Sequence, residues 1–192
     1  MSVPLQVAFM TGQSDPGRCA LSPAQHAFLD ALPVPEAEKL RRNFPYADDT
    51  PPHRDVPILA ASWHNVRQFL ASRAPSFGER HRPAVLRMIA RADHTVLLAG
   101  SCGLEILANL ELPDAALRRV HVFAYGPVAR HRPACDTFVV RGRRDWIAGV
   151  WGVHADRLVG AGHMNYLKNA EVLASCQAFV AGCAARVARW KP

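Results

Sequence analysis

The sequence predicts an α/β protein whose mainly parallel sheet carries helices on both faces. Short stretches of strand type alternate along the 192-residue chain with stretches in which apolar residues recur at helical spacing. This alternation favours a parallel sheet, because each crossover helix returns the chain to the same edge of the sheet. The candidate strands are 5–10, 40–44, 95–98, 120–125, 137–140 and 156–159.

The first half of the chain contains a clear helix start and one long loop. The first strand ends at Thr11-Gly12-Gln13. A helix is expected to begin after Ser22, because Pro23 suits the first helical position and Gln25 completes a capping box. The polar, proline-rich stretch Tyr46–Pro57 predicts a loop, which forms either a wall of the substrate site or a plain surface connection. Helical spacing returns in 58–70, 85–89, 104–110 and 172–187.

Length and composition indicate one globular domain over residues 1–192. The five cysteines have neither CxxC nor zinc-ligand spacing and are expected to be reduced thiols of a cytoplasmic protein. The first ten residues lack the basic and long apolar regions of a signal peptide, and no membrane partner is expected. No paired histidines at helical spacing and no carboxylate cluster stand out, so neither a metal nor a cofactor is predicted.

The formal net charge of +7 raises the question of an acidic partner. The arginines are scattered singly and in pairs, and no nucleic-acid motif occurs, so nucleic acid is not expected to bind. Two interpretations stay open: a solvated arginine-rich surface, which is favoured, and a surface for an acidic carrier protein or the phosphates of coenzyme A.

The most informative stretch is a predicted strand that runs through Ala99-Gly100-Ser101-Cys102-Gly103 into a predicted helix. A strand that turns into a helix through small-x-Ser-x-small is the nucleophile elbow of serine hydrolases. The spacing has a physical reason, because larger side chains two residues either side of the serine would clash with the opposing backbone. The amide of Cys102 would then lie at the helix start, able to stabilise an oxyanion.

Two later segments complete a pattern that resembles the α/β-hydrolase family. Val140-Arg-Gly-Arg-Arg-Asp145 is similar to the strand and turn that carry the family's acid, and Gly160-Ala-Gly-His163 to the loop that presents its histidine. The order Ser101, Asp145, His163 is the family's order. The chain departs from the family at Ala99, which replaces the first glycine of the elbow. It also lacks the early strands, a lid domain and room for the usual helix between Tyr125 and Cys135, so a trimmed member is expected.

The resemblance implies a role for each residue. Ser101 would be the nucleophile, His163 the general base and acid, and Asp145 the group that orients the imidazole. Backbone amides of Cys102 and of Gly12 or Gln13 would form the oxyanion hole.

Each assignment has a rival. Cys102 is the alternative nucleophile, but that register places Leu104 where a small residue is needed. Asp136 and Asp156 stand just before or at the start of predicted strands and would lie at the edge opposite Ser101. His154 lacks the small-residue loop of His163.

These residues predict a serine hydrolase that cleaves an ester or thioester through an acyl-enzyme. An acyltransferase that uses the same three residues and a non-catalytic hydrolase-like binding protein are the alternatives. Arg141, Arg143 and Arg144 near the site are compatible with a thioester on an acidic carrier or on coenzyme A, which is a sub-hypothesis of this prediction. The substrate itself cannot be deduced from the fold.

Overall fold

Six strands form one sheet in the part of the chain that the computed structural model describes, residues 3–15, 18–46 and 53–189. The strands are β1 (Val3–Thr11), β2 (Lys39–Phe44), β3 (Ala92–Gly100), β4 (Val120–Tyr125), β5 (Asp136–Gly142) and β6 (Arg157–Val159). Their order is β2-β1-β3-β4-β5-β6, and all neighbouring strands pair in parallel. The predicted α/β class with a parallel sheet is confirmed, and the fold is compatible with the α/β-hydrolase resemblance.

The strand order places a topological switch point between β1 and β3. The chain leaves β1 for β2 on one side and then crosses back to β3 on the other side. In open parallel sheets, ligands bind in the crevice outside the carboxyl ends of the strands at such a point. Thr11 and Gly100 are aligned at these ends, so Gly12 and Ser101 leave the sheet side by side.

The helices cover both faces of the sheet. They are α1 (Pro23–Asp30), α2 (Ile58–Ala71), α3 (Pro75–Ile89), α4 (Gly103–Asn109), α5 (Asp114–Leu117), α6 (Trp146–Gly149) and α7 (Ala170–Arg189). Strand β1 shows the alternation that makes this possible, since Val7 and Phe9 join the core beneath α1 and α7, whereas Ala8 and Met10 join the core beneath α3 and α4. Each face of the sheet therefore has its own apolar core.

Local signals in the sequence predicted several element boundaries correctly. Ser22 caps α1, with the reciprocal capping box to Gln25 and Pro23 at its first turn. Segment 126–135 contains neither helix nor strand, as expected for an abbreviated connection. Of the predicted 46–57 loop, residues 47–52 lie outside the described residues, and 53–57 contain neither helix nor strand.

Helix α7 is the one described helix that is long and apolar enough to cross a membrane, judged by length and composition alone. Its apolar stripe is used within the fold, because Val172, Cys176, Val180 and Cys183 are fully buried in the core against the sheet. The stripe therefore fits a helix of a non-membrane protein. All five cysteines are free thiols.

Candidate active site

Ser101 lies immediately after β3, at the switch point. Its φ angle is 50°, in the left-handed region that residues other than glycine rarely adopt. Holding a serine there costs about 1–2 kcal/mol. Two backbone hydrogen bonds fix the turn: Ser101 N donates to Tyr125 O at 3.4 Å, and Val128 N donates to Ser101 O at 2.9 Å.

The small residues around Ser101 are required by close backbone contacts. A Cβ atom on Gly103 would lie 1.8 Å from the carbonyl oxygen of Met10 in β1. On Gly100 it would lie 2.5 Å from the Tyr125 ring. Ala99 is fully buried and is accommodated in the core. The steric reason given for the small-x-Ser-x-small spacing therefore holds at Gly103, where α4 packs against β1.

Ser101, His163 and Asp145 form one chain of hydrogen bonds. The Ser101 Oγ lies 3.3 Å from His163 Nε2. On the other side of the ring, His163 Nδ1 lies 3.1 Å and 3.0 Å from the two carboxylate oxygens of Asp145. An ionised carboxylate only accepts, so Nδ1 carries the proton and Nε2 of the neutral imidazole is left to accept from the serine hydroxyl. The three residues singled out in the sequence are thus brought together.

Asp145 is buried, and its charge is stabilised by several donors. Besides His163, Ala148 N donates to Oδ1 at 2.9 Å and the Tyr166 hydroxyl donates to Oδ2 at 2.6 Å. Burial alone would raise the pKa of Asp145, but the hydrogen bonds from His163, Ala148 and Tyr166 outweigh it and hold the pKa below its usual value. The carboxylate is therefore ionised at neutral pH.

Tyr166 is a site residue that sequence reasoning missed. Its hydroxyl accepts from Gly142 N at 2.7 Å while it donates to Asp145. It thereby connects the end of β5 to the acid. Tyr166 follows His163 by three residues, but nothing in that spacing shows that its hydroxyl turns back to the acid.

Cys102, the rival nucleophile, is placed differently from Ser101. Its side chain is buried, 2% exposed, and burial raises the pKa of the thiol to about 12. A thiol with so high a pKa carries almost no thiolate at neutral pH. The backbone of Cys102 occupies the N-cap position of α4, where helical amides have no partner within the helix.

The loop after β1 lies next to the Cys102 turn, and part of it is already occupied. A Cβ on Gly12 would lie 2.8 Å from Cys102 Sγ, so the two turns are in contact. The Gln13 amide, a predicted oxyanion donor, donates to the side-chain oxygen of Gln68 at 2.5 Å. The Gln68 amide donates back to the Gln13 side chain at 3.1 Å. The side chain of Gln68, in helix α2, therefore already accepts the hydrogen bond of the Gln13 amide, one of the amides predicted for the oxyanion hole.

The rival acids and the rival histidine lie elsewhere. Asp136 begins β5, at the opposite edge of the sheet, and binds Arg186 and His121 there. Asp156 accepts from Val139 N and from Arg132. His154 is exposed, and no side-chain hydrogen bond of it is found among the described residues.

Among the described residues, one group of side chains of metal-ligand type lies together that sequence spacing did not reveal. Potential ligand atoms of His121, Asp136 and Cys183 lie within 4.8 Å of one another. The guanidinium of Arg186 already lies 2.6 Å from Asp136 Oδ2 and 3.2 Å from Cys183 Sγ. A protein cation thus occupies the place that a metal ion would take, and this group fits a metal poorly.

The arrangement around Ser101 has a defined chemical capability. A serine hydroxyl next to a neutral imidazole, whose other nitrogen faces a buried carboxylate, can be deprotonated as it attacks an electrophilic carbon. No protein-family model matches the chain, and no curated protein sequence matches it either.

Proposed function

We propose that this protein is a serine hydrolase of the α/β-hydrolase type that cleaves a carboxylic ester or thioester. The observation that carries the proposal is the hydrogen-bonded chain Ser101–His163–Asp145 at the switch point of the parallel sheet. Its geometry is independent of the residue order that suggested the family, and therefore adds separate support. The free thiols and the buried stripe of α7 are in keeping with a cytoplasmic location, which is part of the proposal.

In the first half of the reaction, Ser101 Oγ attacks the acyl carbon while His163 Nε2 takes the hydroxyl proton. Asp145 stabilises the imidazolium that forms. The negative oxygen of the tetrahedral intermediate would accept from Cys102 N and from an amide of Gly12 or Gln13. When the intermediate collapses, the bond to the leaving alcohol or thiol breaks, and His163 returns its proton to that group.

In the second half, water replaces the leaving group. His163 takes a proton from the water as it attacks the acyl-enzyme, and Ser101 leaves with that proton restored. The products are a carboxylic acid and the free enzyme. An acyl acceptor other than water would turn the same steps into acyl transfer, which partitioning between water and added alcohol or amine would reveal.

The test is intact-mass labelling with a fluorophosphonate probe. A single adduct is expected on wild type and on Cys102→Ala, and none on Ser101→Ala. Ester turnover should fall by about 10⁴–10⁶ in Ser101→Ala. Circular dichroism and thermal melting show whether each variant is folded. Cys102→Ala, at the position next to Ser101, is the matched control.

The other outcomes of the labelling point elsewhere. An adduct lost only in Cys102→Ala would assign the nucleophile to the thiol. No adduct on folded wild type, with no turnover of any ester or thioester, would favour the binding-protein alternative.

A further inference from the structure

An open pocket lined by arginine lies beside Asp145. It has a volume of about 480 Å³ and is formed by the end of β5, the turn after it, α6 and the middle of β6. Its lining includes Arg141, Arg143, Arg144, Trp146 and Gly149. This volume lies in the range of sites for small molecules, about 300–1,000 Å³.

The positive charge of this pocket is uncompensated within the described part of the chain. There, Arg141, Arg143 and Arg144 form no ion pair with a carboxylate, whereas arginines elsewhere, such as Arg132, do. The lining carboxylate is Asp145, whose two oxygens already accept from three other groups. Three guanidinium groups within four consecutive residues, without an acid to pair with, favour an anionic ligand, and guanidinium matches phosphate geometry well.

A planar apolar group lies at the edge of these charges. Trp146 is 76% exposed although indole is among the side chains that gain most from burial. A Cβ on Gly149 would meet nothing within 4 Å, so the space next to it is open. An indole face of this kind stacks on nucleobases, and such stacking is tolerant of base identity. The arginines alone would be enough to bind a simple anion. The exposed indole of Trp146 favours an anion that also carries an aromatic ring.

The backbone that carries the arginines is held rigidly. Arg143 N donates to Val159 O at 2.9 Å, and Arg144 N donates to Ala161 O at 3.2 Å in the loop that presents His163. These bonds use main-chain atoms only. The Arg144 guanidinium also donates to Gly160 O at 3.4 Å. Substitution of the arginines therefore removes that one side-chain bond, while the backbone bonds that position the Asp145 turn are kept.

We propose that this pocket binds a nucleotide, with its phosphates on Arg143 and Arg144 and its base on Trp146. Taken together with the proposed function, on which this step rests, the acyl donor of matching chemistry is a coenzyme A thioester. An acidic carrier protein fits less well, because the arginines line a concavity of small-molecule size and not a broad surface.

The experiment is calorimetric titration of the full chain with ADP, coenzyme A, inorganic pyrophosphate and polyglutamate. The variants are Arg143→Ala/Arg144→Ala, Trp146→Ala and, as a matched control, Arg118→Ala. Arg118 is an exposed arginine just before β4, at the opposite edge of the sheet. ADP and coenzyme A should bind wild type. Affinity should fall about 10-fold or more in the double variant and about 5-fold or more in Trp146→Ala, and should be unchanged in Arg118→Ala.

Other results would overturn the inference in distinct ways. Equal affinity for pyrophosphate and ADP, with no effect of Trp146→Ala, would leave a plain anion site. Equal losses in Arg118→Ala would indicate non-specific charge attraction. Binding of polyglutamate but not of ADP would favour an acidic macromolecule, and no binding of any probe would also reject the nucleotide site.

Labelling of Ser101 separates the two proposals. If the probe labels Ser101 but ADP does not bind, the nucleotide site is wrong and the hydrolase proposal stands. If ADP binds as expected while Ser101 stays unlabelled, the pocket is retained and the hydrolase proposal, with the coenzyme A thioester, is rejected.

Discussion

Removal of the Tyr166 hydroxyl should test the support of Asp145 directly. In Tyr166→Phe the ring remains, but the hydrogen bond of 2.6 Å to Asp145 Oδ2 and the bond of 2.7 Å from Gly142 N are lost. A hydrogen bond to a charged group contributes about 1.5–3 kcal/mol, and leaving a buried amide without an acceptor costs about 1 kcal/mol more. We therefore expect the free energy of unfolding to fall by about 3 kcal/mol at neutral pH, with a drop in Tm of about 6–12 °C.

The pH dependence gives this prediction a definite sign. The pKa of Asp145 in the folded protein lies below its usual value of 3.8. A carboxyl group of this kind stabilises the fold above its unfolded pKa, and that contribution is lost as the pH falls through the folded pKa. Loss of the Tyr166 hydroxyl raises the folded pKa of Asp145. The difference in stability between wild type and Tyr166→Phe should therefore be full at neutral pH and shrink below 3.8.

The measurement is urea unfolding at several pH values, together with the rate of fluorophosphonate labelling. Tyr125→Phe is the matched control, because Tyr125 is buried next to Tyr166, and its hydroxyl makes no hydrogen bond within the described ranges. Labelling of Tyr166→Phe should slow about 10-fold or more if the acid is misoriented. Equal stability losses in the two variants, independent of pH, would refute the reasoning.

Three further perturbations test other parts of the structure. Gly103→Ala should lower the free energy of unfolding by about 3 kcal/mol or more, because its methyl group would lie 1.8 Å from Met10 O; a loss under about 1 kcal/mol in urea unfolding would contradict this contact. Gln68→Ala frees the Gln13 amide and should speed fluorophosphonate labelling several-fold; a slower rate would mean that the side chain positions this amide instead of blocking it. Burial, and after it the neighbouring cationic groups, hold the pKa of His94 below its usual value of 6.5. The free energy of unfolding should therefore fall as the pH drops below 6.5. In urea unfolding at several pH values, His94→Asn should make this fall with pH less steep.

The parts of the site that could be predicted depend on residues that are close together in the sequence. The elbow around Ser101 combines a buried strand, small residues and a helix, all within residues 95–110, and each has a steric reason that the sequence displays. Asp145 and His163 each follow a predicted strand. Because the carboxyl ends of parallel strands share one edge, residues that follow strands are brought to the same place. The fold class and the meeting of these three side chains could therefore be predicted together.

The parts that were not predictable depend on contacts between distant segments. Gln68 reaches Gln13 across 55 positions, and which face of α2 turns toward that loop is not encoded in its apolar spacing. The group of His121, Asp136 and Cys183 forms because β4, β5 and α7 meet at one edge of the sheet. Arg186 binds Asp136 in this group and leaves a metal ion no place there. The spacing of potential ligands in the sequence does not predict this contact.

The connection 126–135 between β4 and β5 holds the strained turn at Ser101. Val128 N donates to Ser101 O at 2.9 Å. Two residues further, Arg130 binds the fully buried carboxylate of Glu105 through its backbone amide at 3.1 Å and its side chain at 2.8 Å. Glu105 belongs to α4, directly after the turn. One short segment thus ties both sides of the turn to the end of β4, and these bonds offset the about 1–2 kcal/mol that the left-handed φ of Ser101 costs.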